Sequence, residues 1–349
     1  MSVFHSRVRS SATLLTLLTT AFVLAACSGG SGLSSGPTPE PGDSPTSTPN
    51  SFGDFATANI TPADPERLTN LTSLLSLVPQ EYDSAVYLDL GILRSNVLLT
   101  RSVDAQALGL SSALPSLATG LVNSVAIASD SEALRIITPF EGDFRISDMI
   151  QLAGGFGLEM GQSGPESYNN HPIYEVSILG NVSALATADF TTGTGVAAIH
   201  RRGTAEETVE LAKGALDAFD GRADRLLGLP GLADLVGNIP SGFVTAVLSQ
   251  CEDIPLISDG DGLPGCSGLV ASPTVTSGDL VVFQVLVGFE GQQHAKSALQ
   301  RANVSLADQR EKYGFEDLAV RLEGNNLRVQ AIFGVPKFED AYRLFTGGF

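Results

Sequence analysis

The spacing of apolar residues beyond about residue 60 predicts a folded body built from strands and amphipathic helices. A first helix places its leucines on one face and ends at Pro79, and a strand follows over residues 84–90. The best-defined helix spans residues 205–219, where Thr204 and Glu207 form a capping box. Three strands precede it, over residues 171–176, 183–190 and 195–200. This order of elements favours an α+β fold.

Part of this pattern occurs twice along the chain. Residues 77–86 and 238–247 share a proline, an aromatic residue and an Ala-Val pair at the same spacing. The tripeptide Phe-Glu-Gly recurs at residues 140–142 and 289–291, each time where a predicted strand gives way to a predicted helix. Matches in the same order indicate a tandem duplication.

Each copy is predicted to be a β-α-β-β-α unit, the first over residues 61–228 and the second over residues 229–349. A third match supports this division, because the strand at 196–199 precedes a helix and so does the strand at 329–332, before a helix over residues 337–345. The units are expected to be ferredoxin-like, or to share one sheet with helices on one side.

The first 26 residues have the parts of a secretory signal. Arg7 and Arg9 form a basic start, and an apolar run of about 15 residues follows, too short to span a bilayer comfortably. The run ends in Leu24-Ala25-Ala26-Cys27, which resembles the lipobox of bacterial lipoproteins. The resemblance implies cleavage before Cys27 and acylation of that residue, with the body outside the cytoplasm. An ordinary signal peptide with a chance cysteine is the alternative.

Residues 27–60 carry Ser, Gly, Thr and Pro and almost no large apolar side chain. Such a composition cannot bury enough surface to fold, so this stretch is predicted to be a disordered tether. Acyl chains on Cys27 would hold its start at the membrane, since each buried methylene contributes about 0.8 kcal/mol.

The charge of the chain narrows the range of partners. The formal net charge is −18, and it becomes −20 once Arg7 and Arg9 leave with the signal. A surface this acidic argues against nucleic acid and against direct binding to anionic lipid headgroups. The expected partners are the membrane, reached through the lipid anchor, and an unidentified protein, cell-wall component or small molecule.

Three cysteines are present, and lipidation of Cys27 leaves Cys251 and Cys266 as a pair. In an oxidising compartment this pair is predicted to form a disulfide. Closing the loop 251–266 would contribute on the order of 3 kcal/mol in the chain-entropy model. A redox or metal role is the alternative, although no C-x-x-C spacing is present.

Other residues that could carry chemistry are scattered. A calcium site is conceivable in the bridged loop, with an incomplete ligand pattern at Asp259, Asp261, Glu252 and Asp253. His171, His200 and His294 share no local spacing with each other or with a carboxylate cluster, so a zinc site or a catalytic triad would need the fold to bring them together. No catalytic motif and no cofactor-binding motif is predicted.

Residues about 168–250 resemble an exported bacterial family that is known only as a domain of unknown function. The likeness lies in the order of the parts, namely residues 170–174, Ala188-Asp189-Phe190, the strand 196–199, the helix 208–219, residues 229–232 and residues 239–243. The resemblance implies a fold and a surface or envelope location, and it implies no active site.

The sequence therefore predicts a lipid-anchored extracytoplasmic protein that acts as a non-catalytic binding or structural module. One alternative is a carrier of a small or lipidic ligand between the two copies, lined by the segments 106–122 and 149–161. A second alternative is an envelope hydrolase that would pair an Asp or Glu with His171 or His200 in one cleft.

Overall fold

The structure is a computed structural model, and it describes residues 65–95, 122–130, 134–143, 159–160, 165–178, 181–240, 242–251, 263–275, 280–313 and 317–334. Its helices are α1 (Pro65–Leu75), α2 (Leu90–Ser95), α3 (Ala205–Phe219), α4 (Leu232–Asn238) and α5 (Gln292–Tyr313), with a 3₁₀ turn at Leu226–Gly228. Its strands are β1 (Ser84–Asp89), β2 (Val122–Ser129), β3 (Arg135–Gly142), β4 (Glu159–Met160), β5 (Glu166–Tyr168), β6 (His171–Ile178), β7 (Asn181–Asp189), β8 (Thr194–His200), β9 (Val244–Leu248), β10 (Cys266–Val275), β11 (Leu280–Phe289), β12 (Asp317–Glu323) and β13 (Asn326–Gly334).

Within the described residues the strands form one 13-stranded antiparallel sheet, so the predicted α+β class is confirmed. The strand order is β12-β13-β11-β10-β9-β1-β2-β3-β8-β7-β6-β4, and β5 also pairs with β6. The first and second halves of the chain therefore contribute to one continuous sheet.

The two halves meet where β1 pairs with β9, and Val86 lies opposite Ala246 at the middle of this seam. On each side of the seam five strands follow the same order, β1-β2-β3-β8-β7 in the first half and β9-β10-β11-β13-β12 in the second. Bulges at Asn123 in β2 and at Ser267 in β10 occupy matching places. Each of these five strands in the first half therefore has a counterpart in the second, whereas β4, β5 and β6 have none among the described strands.

The Ala-Val pairs that suggested the repeat are not in matching register. Ala85 and Val247 point to one side of the sheet, whereas Val86 and Ala246 point to the other. Because side chains alternate along a strand, the two pairs differ by one residue in their placement. The counterpart of Val86 across the seam is Ala246 and not Val247.

Helices cover both faces of the sheet, so the expectation of helices on one side is wrong. On the face that we call the α1 face, α1, α3 and α4 pack over residues such as Tyr87 and Leu286. On the opposite face, called the α5 face, Ala295, Ala298 and Ala302 of α5 pack over apolar residues of the second half. A second layer is required because β11 is buried along almost its whole length on both sides.

The predicted helix 205–219 is confirmed as α3. The Thr204 hydroxyl accepts from the backbone of Glu207, and the Glu207 carboxylate accepts from the backbone of Thr204. Strands β2, β10 and β12 were not predicted from the sequence.

Cys251 and Cys266 form a disulfide with their Cα atoms 5.6 Å apart. It joins the residues after β9 to the first residue of β10, and both cysteines are buried. In the described part of the chain, none of the helices has the length and apolar character needed to cross a membrane.

Candidate functional site

A row of polar side chains crosses three neighbouring strands at one end of the α1 face. Asp89 at the end of β1 lies opposite Ser124 in β2, and Ser124 lies opposite Glu141 in β3. Residues opposite each other in paired strands share a face, with Cβ atoms about 5 Å apart. The row continues to Thr194 in β8, which is opposite Glu141. We call Asp89, Ser124 and Glu141, together with Tyr87 beside them, the polar row.

Two hydroxyl groups of the polar row are buried with no described partner other than each other. Tyr87 is 0% exposed and Ser124 is 2% exposed, and neither hydroxyl oxygen has a hydrogen-bond partner of ordinary geometry. Burial raises the pKa of the Tyr87 phenol, the charge of Asp89 raises it further, and a side-chain hydrogen bond with Ser124 lowers it. Buried polar groups are nearly always well hydrogen-bonded, so two buried hydroxyls that have only each other require a reason.

The third unusual group is the half-buried carboxylate of Glu141. Within the described ranges it has neither a hydrogen-bond donor nor a basic partner. Burial, and then the charges of Asp143 and Glu66, raise the pKa of this carboxyl above its ordinary value. A carboxylate held unpaired beside two like charges is costly to a fold, which is typical of a group kept for binding or chemistry.

The other charges near the polar row are engaged elsewhere. Arg67 in the first turn of α1 lies 3.7 Å from Asp89, whose other carboxylate oxygen accepts from the backbone N–H of Ile92 at the start of α2. Arg94 donates to the backbone oxygen of Val122 at 2.7 Å.

The bulge in β2 fixes the rim of this site. Asn123 is the extra residue between the pairs that Val122 and Ser124 make with β3. Its side chain accepts from Arg94 and donates to Asp143, 3.3 Å away in both cases. Bulges often lie next to functional sites, because the extra residue redirects neighbouring side chains.

The matching position in the second half is closed by apolar packing. Ile127 in β2 lies opposite Val86, and Ala271 in β10 lies opposite Ala246, which makes Ala271 the counterpart of Ile127. Ser124 comes three residues before Ile127, so its counterpart is Gly268, three residues before Ala271. Gly288 is opposite Gly268, as Glu141 is opposite Ser124.

Leucines of α4 fill the space above these two glycines. A Cβ atom built on Gly268 would lie 2.9 Å from Leu232 Cδ1, and one on Gly288 would lie 3.1 Å from Leu235 Cδ1. The same place in one sheet is therefore packed with leucine in one half and polar in the other. Departures from apolar packing that the fold does not need are expected at functional sites.

We expect Glu141→Gln to raise the thermal midpoint at pH 7 by on the order of 1–3 °C. An acid whose pKa is raised in the folded state contributes stability that is present below the ordinary value of 4.5 and is lost as the pH rises through the raised value. The glutamine removes this loss, so the gain should fade below pH 4.5. Thermal unfolding in phosphate buffer across this pH range measures it.

Glu175→Gln, at an exposed position on β6, is the matched control and should leave the midpoint unchanged at every pH. If Glu141→Gln were less stable than the wild type at pH 7, Glu141 could not be a carboxylate that destabilises the fold.

His171 is the histidine that the fold does bring to a carboxylate. Its Nε2 lies 3.1 Å from Asp220 Oδ2, and its Nδ1 lies 3.0 Å from the backbone oxygen of Thr187. Both ring nitrogens are occupied, so neither is left to accept a proton from a nucleophile. The pair instead ties the start of β6 to the end of α3.

The β5–β6 hairpin makes a second tie to the same helix end. Asn169 and Asn170 adopt positive φ angles of 49° and 69°, as a two-residue hairpin turn requires. The turn presents the Tyr168 hydroxyl, which donates to Asp217 at 2.8 Å. These contacts hold the β5–β6 hairpin against the end of α3.

Two further histidines lie in the described ranges. His200 ends β8 near the start of α3, while His171 is at the other end of this 15-residue helix, about 20 Å away. His294 lies on α5 and contacts the backbone oxygen of Pro264 at 2.9 Å. The described part of the chain contains no group of three or more His, Cys, Asp or Glu side chains that could hold a metal ion.

Several sequence-predicted positions lie outside the described residues: Cys27, Glu252, Asp253, Asp259 and Asp261, and most of the segments 106–122 and 149–161. The seam itself is described, and β1 and β9 are hydrogen-bonded neighbours there. The segments expected to line a cleft between the copies lie almost wholly outside the described residues, so the carrier alternative stays a prediction.

Comparison with known proteins adds a distant likeness of shape. No family model matches the chain, and no curated protein matches it. Crystal form I of a protein named TP0453 is similar, with a TM-score of 0.47, 10% identity, and coverage of 78% of this chain and 98% of that one. Crystal form III of TP0453 gives a TM-score of 0.46 and 8% identity, with coverage of 76% and 96%.

Proposed function

We propose that this protein is a lipoprotein held outside the cytoplasm by acyl chains on Cys27, and that its folded body is a non-catalytic binding module. The order Leu24-Ala25-Ala26-Cys27 after an apolar run supports the anchor. Residues 28–58, rich in Ser, Gly, Thr and Pro, would separate the body from the membrane.

The polar row is the observation that carries the binding role. Within the described ranges the half-buried Glu141 has no basic partner, and the buried hydroxyls of Tyr87 and Ser124 have only each other, in a place that leucine fills in the other half of the sheet. Groups that are costly to leave unsatisfied favour a ligand that satisfies them.

Binding is favoured over catalysis by the state of the candidate groups. Ser124 is 2% exposed, so its hydroxyl is a poor nucleophile for an external substrate. Both ring nitrogens of His171 are occupied by hydrogen bonds. His171 also lies beside the end of α3, whereas His200 lies near its start. The hydrolase alternative would need a different set of residues.

Replacing Cys27 with alanine is expected to abolish acylation. The acyl chains are attached to the thiol of Cys27 and to the α-amine that cleavage before Cys27 exposes. Cells fed an alkyne analogue of palmitate should label the wild-type protein and leave the variant unlabelled at the detection limit. Intact mass should show that the variant retains residues 1–26.

The double variant Cys251→Ser/Cys266→Ser is the matched control, because it removes the other two cysteines and should label like the wild type. Labelling of the Cys27→Ala variant would exclude the anchor.

A further inference from the structure

Three polar contacts join the β5–β6 hairpin to one side of α3 and its C-cap. They are Glu166 to Lys213 at 3.0 Å, Tyr168 to Asp217 at 2.8 Å and His171 to Asp220 at 3.1 Å. The three α3 residues follow each other at intervals of four and three, so they lie along one side of the helix. We call these three contacts the hairpin clasp.

His171 is the member of the clasp whose two ring nitrogens both face oxygen acceptors. Its Nδ1 lies 3.0 Å from the backbone oxygen of Thr187, and its Nε2 lies 3.1 Å from Asp220 Oδ2. A neutral imidazole has one N–H and can donate to only one of these oxygens, whereas the protonated ring donates to both. The arrangement therefore fits a histidine that carries both ring protons.

The partner of Asp220 on its other side supports this reading. Nη1 of Arg222 lies 2.7 Å from the same Oδ2 atom that His171 approaches. A guanidinium always carries its charge and only donates, so it favours the ionised form of the carboxyl group. Asp220 then offers no proton of its own to Nε2, and the hydrogen of the His171 contact must come from the histidine.

The other charged or titratable side chains that approach the clasp have partners of their own. They are Lys213 with Glu166 and Glu210, Arg222 and Tyr168 with Asp217, Arg225 with the backbone oxygens of Ala218 and Phe219, and Asp189 with the backbone N–H of Thr191. Glu175, on β6 itself, is exposed. Of all these side chains, only histidine ordinarily changes its charge between pH 5 and 8.

We propose that the hairpin clasp is a pH-sensitive device, closed when His171 carries both ring protons and weakened when one of them is lost. Whichever proton remains, the other nitrogen then turns a lone pair toward an oxygen, so the ring cannot keep both contacts. The contribution of His171 is therefore present in acid and is lost as the pH rises through the range in which imidazole deprotonates. The other two contacts remain, so the hairpin loosens without detaching.

Hydrogen exchange of the full-length protein in detergent tests the device. Protection of the backbone amides in residues 166–173 is measured at about pH 5.5 and pH 8, on either side of the usual histidine range. Each rate is divided by that of an unstructured chain at the same pH, which removes the direct effect of hydroxide. We expect protection of the hairpin to fall about threefold at the higher pH, as suits a partly exposed ion pair. Protection in β10 and β11 should not change.

Variants locate the cause. The pH dependence should disappear in His171→Gln, which has no ring to titrate, and in Asp220→Asn, which removes the charge that requires the second proton. His200→Gln, near the start of α3, is the matched control and should keep it. A threefold change that persists in either His171→Gln or Asp220→Asn, or an unchanged protection in the wild type, would overturn the proposal.

Nitrogen-15 NMR of the ring gives a second readout, which does not depend on the stability of the hairpin. The signals of His171 are those that His171→Gln lacks, and at about pH 5.5 both nitrogens should carry protons. A neutral His171 ring with a single N–H at this pH would contradict the closed clasp.

Discussion

Replacing Gly242 with alanine is expected to lower the free energy of unfolding by about 3 kcal/mol or more, which is at the high end for a single substitution. A Cβ atom at this position would lie 1.7 Å from the backbone oxygen of Pro273 and 2.6 Å from its carbonyl carbon. Because the obstacle is backbone in β10, the strand would have to move. The Gly242 N–H also donates to the buried Ser272 hydroxyl at 2.8 Å, and that bond would be strained.

Gly214→Ala is the matched control for this prediction. Gly214 lies inside α3, and a Cβ atom there meets nothing within 4 Å. Alanine should therefore stabilise the helix by about 0.5–1 kcal/mol. Urea unfolding of both variants measures the two changes, and similar midpoints for both would contradict the close approach of Gly242 to β10.

Replacing Arg328 with methionine is expected to cost roughly 3–5 kcal/mol, because it breaks a buried ionic network by removing one partner. Arg328 is 8% exposed, and its guanidinium donates to Glu323 at 3.0 Å, to Gln284 at 2.8 Å and to the backbone oxygen of Asn238 at 2.9 Å. Methionine has similar length and supplies none of these bonds. The loss removes this donor from Gln284 and from the Asn238 carbonyl and leaves Glu323 with the exposed Arg321, which chemical unfolding at pH 7 would register.

Arg321→Met is the matched control, because Arg321 contacts the same Glu323 from a side chain that is 51% exposed. Its loss should cost less than about 1 kcal/mol, as is usual for exposed ion pairs.

The pH dependence gives a second check on the Arg328 network. Burial would raise the pKa of Glu323, but the hydrogen bonds and charges of Arg328 and Arg321 outweigh burial and lower it. This contribution is present above the ordinary value of 4.5 and is lost as the pH falls through the lowered value. The difference in the free energy of unfolding between the wild type and Arg328→Met should therefore become smaller in acid. A gap that stays constant would show that shape, and not charge, sets the cost.

Local signals explain what could be predicted of the fold. The helix α3 has a capping box at Thr204 and a regular apolar face, and both are set by residues within one stretch of chain. Strand β10 escaped prediction because it contains Pro273, and proline inside an apolar run argues against a central strand. The second layer of helices also had a signal, since β11 reads as a continuous apolar run with Gln284 as its main interruption.

The candidate site could not be predicted, because its members become neighbours only through strand register. Asp89, Ser124 and Glu141 lie in three separate strands, and each looks ordinary in its own stretch of sequence. A shift of one residue in β2 would turn Ser124 to the other face of the sheet. The bulge at Asn123 sets that register, and nothing in the local sequence marks it.

The seam between the halves also affects how the chain folds while it is being synthesised. Strand β1 is central in the finished sheet, yet its partner β9 begins only at Val244, far later in synthesis. Until then one edge of β1 offers unpaired N–H and C=O groups, a template on which another nascent chain can pair. Contacts between such distant residues also slow folding. A chain that stopped before Val244 would leave β1 as an unpaired edge strand that can pair with another chain. Completing β9 covers this edge and so protects the protein from self-association.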